Sequence, residues 1–152
     1  MPPCADCLHQ AANLRDIRRN LGRNQRTPTV VPGVIEELTG EKVLVMEFCE
    51  GISLKDGAEL RRAGIDCEQL VLRVCEAWAL QMFRDGVFNA DAHAGNILAV
   101  HDPEQGAVPI LLDFGLTKRL TPAEQIAFCQ MVGAFSASRP SHDCSCRGLL
   151  FP

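Results

Sequence analysis

The chain has 152 residues, 47% hydrophobic and 22% charged, with a formal net charge of −4. These figures suit one globular domain or part of one and exclude a disordered or collagenous chain. No basic stripe or aromatic-interleaved Lys/Arg cluster is present, so no nucleic-acid partner is expected, and no stretch approaches the roughly 20 apolar residues of a membrane span.

The opening Met1-Pro2-Pro3-Cys4-Ala5-Asp6 lacks a charged region followed by an apolar run, and lacks the Arg/Ser-rich look of a transit sequence. No targeting segment is expected in it. Residues 8–24 predict a helix, because Leu8, Ala11, Ala12, Leu14, Ile17 and Leu21 recur at near-helical spacing and Gly22 ends the run. Arg15, Arg18, Arg19, Arg23 and Arg26 read as a solvated face of this helix rather than a phosphate-binding patch. Residues 34–38 and the β-branched-rich run 42–48, joined by Thr39-Gly40-Glu41, predict an antiparallel hairpin.

Ser53 is the expected N-cap of a short helix over 54–62, ended by Gly64. Asp66 caps a longer helix, with Gln69 at the capping-box position. Leu70, Val71, Val74, Cys75, Trp78, Ala79, Met82 and Phe83 fall in pairs four apart, the expected core stripe, and Gly86 closes the helix. A loop then spans 87–96. Residues 97–100 and 108–112 predict two strands around a turn at Asp102-Pro103-Glu104-Gln105-Gly106. Thr121-Pro122-Ala123-Glu124 opens a last helix to about Ala137. Residues 138–152 form an irregular Ser, Cys, Pro and Arg tail without periodicity until Leu149.

Among the eight cysteines, Cys49, Cys67, Cys75 and Cys129 lie in apolar patterns and read as small core residues. Cys4 and Cys7 form a CxxC, and His142, Cys144 and Cys146 cluster near the other end. Their spacings fit no common zinc module, and no zinc is expected.

The chemistry lies in residues 89–115. Asp91-Ala92-His93-Ala94-Gly95-Asn96 places an Asp and an Asn five residues apart on one loop, and Asp113-Phe114-Gly115 follows a strand pair. Phosphoryl transfer needs a carboxylate to orient the acceptor and further oxygens to hold Mg²⁺ against phosphates. A hard octahedral cation suits one carboxylate, one amide oxygen, phosphates and waters. Asp113 and Asn96 supply that protein pair. The order of elements carries the weight: apolar strand, long helix, D-x4-N loop, hairpin, then DFG.

Three stretches are more specific. Val43-Leu44-Val45-Met46-Glu47-Phe48-Cys49-Glu50-Gly51, Asn89-Ala90-Asp91-Ala92-His93-Ala94-Gly95-Asn96-Ile97-Leu98 and Leu111-Leu112-Asp113-Phe114-Gly115-Leu116-Thr117-Lys118 together resemble the UbiB/AarF-type atypical kinases, the ADCK family. The resemblance covers residues 10–137 and places a partial kinase-like domain at 8–137. It implies an α+β, protein-kinase-like fold, mostly the helical C-lobe with a remnant of the N-lobe formed by one helix and a hinge hairpin. It implies ATP and Mg²⁺ as cofactors, with Asp91 as the catalytic-loop Asp, Asn96 and Asp113 as metal ligands, and Met46, Glu47 and Phe48 as the hinge whose backbone meets adenine. Members are linked to ubiquinone or other prenyl-lipid metabolism in mitochondria, plastids and bacteria. The implied partners are therefore a nucleotide and prenyl-lipid or membrane-associated components.

Departures from the family pattern set limits. The family's loop opens on a His where this sequence has Asn89, and its two prolines are Ala92 and Ala94 here. His93 reads as a hydrogen-bonding brace of the loop. The helix motif E-A-x-N stands as Gln10-Ala11-Ala12-Asn13, a neutral Gln at the Glu position. The family's K-x-G-Q helix, Ala-rich nucleotide loop and phosphate-contacting strand lysine are not among the 152 residues. Lys42 and Lys55 flank the hinge strand and do not match that lysine's position. The parent activity is ATP hydrolysis or phosphotransfer. The alternative is a catalytically inactive, pseudokinase-like piece acting as a binding module.

Overall fold

The structure, a computed structural model, describes residues 7–23 and 27–137. The expectations placed on Cys4, Arg26, His142, Cys144, Cys146 and the tail from residue 138 lie outside the described residues.

Helix α1 (Cys7–Leu21) forms where the apolar spacing places it and buries Ala11, Asn13, Leu14, Ile17 and Leu21 on one face. Its outward arginines are neutralised one by one. Arg15 meets Glu36 at 3.0 Å, Arg18 meets Glu47 at 2.6 Å and Arg19 meets Asp16 at 2.7 Å. They form a solvated, ion-paired face, as expected.

The expected hairpin over 34–38 and 42–48 forms only in part. Val34 faces Met46 and Gly40 faces Val43 as isolated antiparallel pairs, while Glu36–Leu38 winds into a 3₁₀ turn. The physical reason is Thr39. Its hydroxyl bonds the carbonyls of Ile35 and Val45 and accepts from the Val45 N–H at 3.1 Å, so a side chain occupies the place of a backbone rung.

Strand β1 (Ile52–Ser53) leads into helix α2 (Gly57–Arg62). The cap is Asp56, whose carboxylate accepts from the Glu59 N–H at 2.9 Å, and not Ser53. Ser53 is drawn instead into the sheet, opposite Leu98. Helix α3 (Cys67–Ala79) is capped by Asp66 as expected, with bonds of 2.9 and 3.1 Å from the Glu68 and Gln69 amides. The expected capping box does not close. The Gln69 side chain turns away and accepts from the Ala107 N–H at 2.8 Å.

The α3 stripe also differs from the expected one. Leu70 and Ala77 are buried, whereas Val71 and Cys75 face outward. Cys49, Cys67 and Cys129 are only half-buried, so none of the four cysteines read as core residues is one. Past Ala79 the helix widens into a π turn over Leu80–Asp85 and stops at Gly86, whose φ of 65° is left-handed.

Strand β2 (Val87–Asn89) pairs antiparallel with β5 (Thr117–Arg119), a two-stranded element invisible in the sequence because each partner has three residues. Strands β3 (Ile97–Asp102) and β4 (Gly106–Leu111) form the expected hairpin, in register from Ile97↔Leu111 to Asp102↔Gly106. With β1 they make a three-stranded sheet in the order β1-β3-β4. Helix α4 (Pro122–Ala137) starts on the expected capping box. Glu124 Oε2 accepts from the Thr121 N–H at 2.7 Å, and Thr121 Oγ1 accepts from the Glu124 N–H at 3.3 Å.

The main core joins α1, α3 and the β3–β4 hairpin through Leu14, Ile17, Leu21, Val31, Ala77, Ile97, Leu111 and Phe114. Asp16 ties this core's rim to β5, receiving Arg119 and Arg19, each at 2.7 Å. The Arg119 hydrogen bond, chiefly, holds the Asp16 carboxyl below the ordinary aspartate range. A depressed folded value contributes stability above the unfolded pKa that is lost as pH falls through the folded one. Arg119→Met is therefore expected to cost about 0.5–1 kcal/mol near neutral pH, and denaturant melts should show wild type and variant converging as the solution is acidified. A gap independent of pH would refute this.

Candidate functional site

The site is assembled at the ends of short strands. Residues 91–96 run from β2 to β3, and Asp113, Phe114 and Gly115 run from β4 to β5. Since β2 pairs with β5 and β3 with β4, both loops are pinned at each end and meet side by side.

Asn96 and Asp113 are brought together. Asn96 Nδ2 donates to Asp113 Oδ2 at 2.9 Å, and the Asn96 carbonyl accepts from the Leu112 N–H at 3.0 Å. The other Asp113 oxygen, Oδ1, accepts from the Gly115 N–H at 2.8 Å and from Gln10 Nε2 of α1 at 3.4 Å. A β-carbon on Gly115 would press on the end of the Gln10 side chain, so the Gln10 amide packs against the bare glycine. Phe114 points into the core and is 2% exposed. Its carbonyl accepts from Asn13 Nδ2 at 3.4 Å and from Thr117 Oγ1 at 2.8 Å. The Gln10-Ala11-Ala12-Asn13 segment thus clamps this turn through both of its amides.

Asp91 sits on the same loop with its carboxylate exposed, 3.9 Å from His93 Nε2. His93 braces the loop: its Nδ1 accepts from the Gly95 N–H at 3.1 Å, and its Nε2 stands 2.8 Å from Asn96 Nδ2. The structure does not gather the hinge residues by their side chains. Phe48 is 90% exposed. The Glu47 carboxylate accepts from Arg18 at 2.6 Å and from the Gly33 N–H at 2.7 Å, which hold it below its ordinary value, Arg18 foremost. Met46 faces Val34 as a non-hydrogen-bonded pair, flanked by Ile35 N–H to Val45 O and Glu47 N–H to Gly33 O. In such a pair the backbone groups of Met46 point away from residue 34.

Asn89 is the residue whose importance the sequence hides. Its Nδ2 donates to the Asp113 carbonyl at 2.6 Å and its Oδ1 accepts from the Asp91 N–H at 2.8 Å. Its backbone is held in turn by Gln81 Oε1 at 3.1 Å and Trp78 Nε1 at 2.9 Å. Gln81 is fully buried, turned inward by the π turn, and also donates to the Ala77 carbonyl. The only sequence signal for it was a polar residue within an apolar run.

A mixed domain with a helix clamping a D-F-G turn, beside a D-x4-N loop on a hairpin, is protein-kinase-like. The model of the ABC1 atypical kinase-like domain matches residues 5–140, and the chain belongs to that family. Among solved structures, the Rv3197–erythromycin complex from Mycobacterium tuberculosis is similar with a TM-score of 0.50 at 21% identity, over 93% of this chain and 38% of that one. Monomeric WbdD is similar with a TM-score of 0.43 at 22% identity, over 88% of this chain and 31% of that one. The bifunctional kinase-methyltransferase WbdD is similar with a TM-score of 0.43 at 23% identity, over 90% and 30%. The chain thus spans 38% of the length of the Rv3197 structure it matches.

Proposed function

We propose that this chain binds a Mg²⁺-nucleotide at the Asn96–Asp113 pair and is of the UbiB/AarF type, whose parent activity is ATP hydrolysis or phosphotransfer tied to prenyl-lipid metabolism. The observation that carries the proposal is the 2.9 Å approach of the Asn96 amide to Asp113 Oδ2, with Asp91 on the same loop. His93 supports it. A neutral imidazole accepts at one nitrogen only, and Nδ1 is taken by Gly95, so Nε2 carries the proton. A half-turn of the Asn96 amide presents Oδ1 to that proton and to a cation beside Asp113. The donor set is then one carboxylate and one amide oxygen, which fits a hard cation that completes its shell with phosphates and waters. When bound, Mg²⁺ supplies charge neutralisation at the phosphates.

In this reading Asp113 and Asn96 hold the metal. Asp91 accepts a proton from, or orients, the attacking group, and its exposure leaves it open to an acceptor. The outward backbone groups of Met46 serve adenine. Prenyl-lipid or membrane-associated partners, and a mitochondrial or plastid setting, belong to the same proposal. A second reading, nucleotide binding without turnover, is favoured by Gln10, where a neutral amide meets Asp113.

Calorimetry with Mg·ATP tests the main reading. The wild-type chain is expected to bind, and Asp113→Asn to bind at least about tenfold more weakly, the loss of about 1.4 kcal/mol. Equal affinities would refute the metal role. Phosphate release by the wild type then separates turnover from binding alone.

A further inference from the structure

We propose that Lys55 is a phosphate-contacting residue of this site, reaching the 91–96 loop from the turn after β1; the proposal rests on the Mg²⁺-nucleotide reading above. Strand β1 ends beside the start of β3, next to the 91–96 loop. Ile52 pairs with Ala99 and Ser53 with Leu98, and the Leu54 N–H donates to the Ile97 carbonyl at 3.1 Å. The ladder ends there, and Lys55 follows in the turn that leads from β1 to α2.

The side chain follows the backbone. A β-carbon built on Gly95 would lie 2.8 Å from Lys55 Nζ and 2.9 Å from His93 Nδ1 and Cε1. The ammonium therefore lies close to Gly95, where a β-carbon would press on it. The turn that carries it is fixed on both sides. The Lys55 N–H donates to Ser53 Oγ at 3.3 Å and the Asp56 N–H to the Ser53 carbonyl at 2.9 Å. The neighbouring Asp56 carboxylate is engaged in capping α2.

Among the described residues no carboxylate lies within ion-pair distance of Lys55 Nζ, a property it shares with Lys42 and Lys118; its place beside Gly95 sets it apart. A compact ammonium with three donors suits phosphate oxygens as a point charge. It stands beside the loop that carries Asp91 and Asn96, where phosphates bound through Asn96 and Asp113 would bring negative charge. Lys55 does not take the position of the strand lysine that the family resemblance implies, since it approaches from the loop that follows the hinge. It adds a cation on the C-lobe side.

The test compares Lys55→Met and Lys55→Arg with wild type for Mg·ATP and for adenosine, which has no phosphate, with thermal melts confirming that both variants fold. Lys55→Met should bind Mg·ATP about tenfold more weakly, the worth of one charge-assisted contact. It should bind adenosine as wild type does, and Lys55→Arg should retain most of the Mg·ATP affinity. Unchanged Mg·ATP binding by Lys55→Met, or an equal loss for adenosine, overturns the role of Lys55 and leaves the metal reading standing. A folded wild-type chain that fails to bind Mg·ATP overturns both.

Discussion

Phe114→Ala is expected to destabilise the fold by about 3–5 kcal/mol, the range for emptying a buried aromatic site. The side chain is 2% exposed and lies in the core with Leu14, Ile17 and Leu21 of α1, Ala77 of α3, and Ile97 and Leu111 of the hairpin. No single element can move to fill the gap, because the ring lies where three elements converge. A domain has only about 5–15 kcal/mol of stability in total, so thermal melts should fall by about 10 °C or more. Phe114→Leu, which keeps much of the volume, should cost about 1–1.5 kcal/mol. The site must loosen with the core, since Asp113 and Gly115 flank the anchored residue and Gln10 and Asn13 reach them from α1. A Phe114→Ala variant melting within about 2 °C of wild type would show that the ring does not hold these elements together.

The parts of this architecture that depend on near neighbours in sequence are legible. The β3–β4 hairpin, the Asp66 cap and the Thr121–Glu124 box each need only a few consecutive residues, and each stands as expected. Contacts between segments distant in sequence are not legible. Thr39 breaks a hairpin that β-propensity favours, because its hydroxyl finds two carbonyls across the turn. Gln69 abandons its own helix start for the Ala107 amide, 38 residues away. Helical periodicity placed Val71 and Cys75 in the core, but it reports only that α3 has an apolar face; the packing of α3 on β4 decides which one is covered.

The candidate site shows the same division. Asp91, Asn96 and Asp113 could be picked out as residue types, and the structure adjoins the last two while leaving Asp91 exposed on their loop. The sequence shows Gln10 only as a neutral residue at the Glu position of the E-A-x-N pattern. Only the fold reveals that its amide faces Asp113, where a second carboxylate would repel. Lys55 likewise stands 41 residues before Asn96 in sequence, and only the fold brings its ammonium beside Gly95 of the loop.

Asn89 carries the second large prediction. It replaces the His that opens the loop in the resembling family, and the change looks like a loss. The structure shows an amide that donates to the Asp113 carbonyl and accepts from the Asp91 N–H, at 5% exposure. Those two bonds splice the Asp91 loop to the Asp113 turn. Asn89→Ala leaves one backbone donor and one acceptor without partners, each costing about 1–3 kcal/mol when buried. Water can reach Asp91 on the exposed side of the loop, so a net loss of about 2–3 kcal/mol is expected. Asn89→His should recover much of it, because a neutral imidazole also offers one donor and one acceptor. A general loss of packing would lower stability as well, so the decisive measurement is local. Amide hydrogen exchange at Asp91 should accelerate in Asn89→Ala under conditions where α1 amides remain protected, and should slow again in Asn89→His. Unchanged exchange at Asp91 in the alanine variant would mean that the two loops are held together by their strands alone.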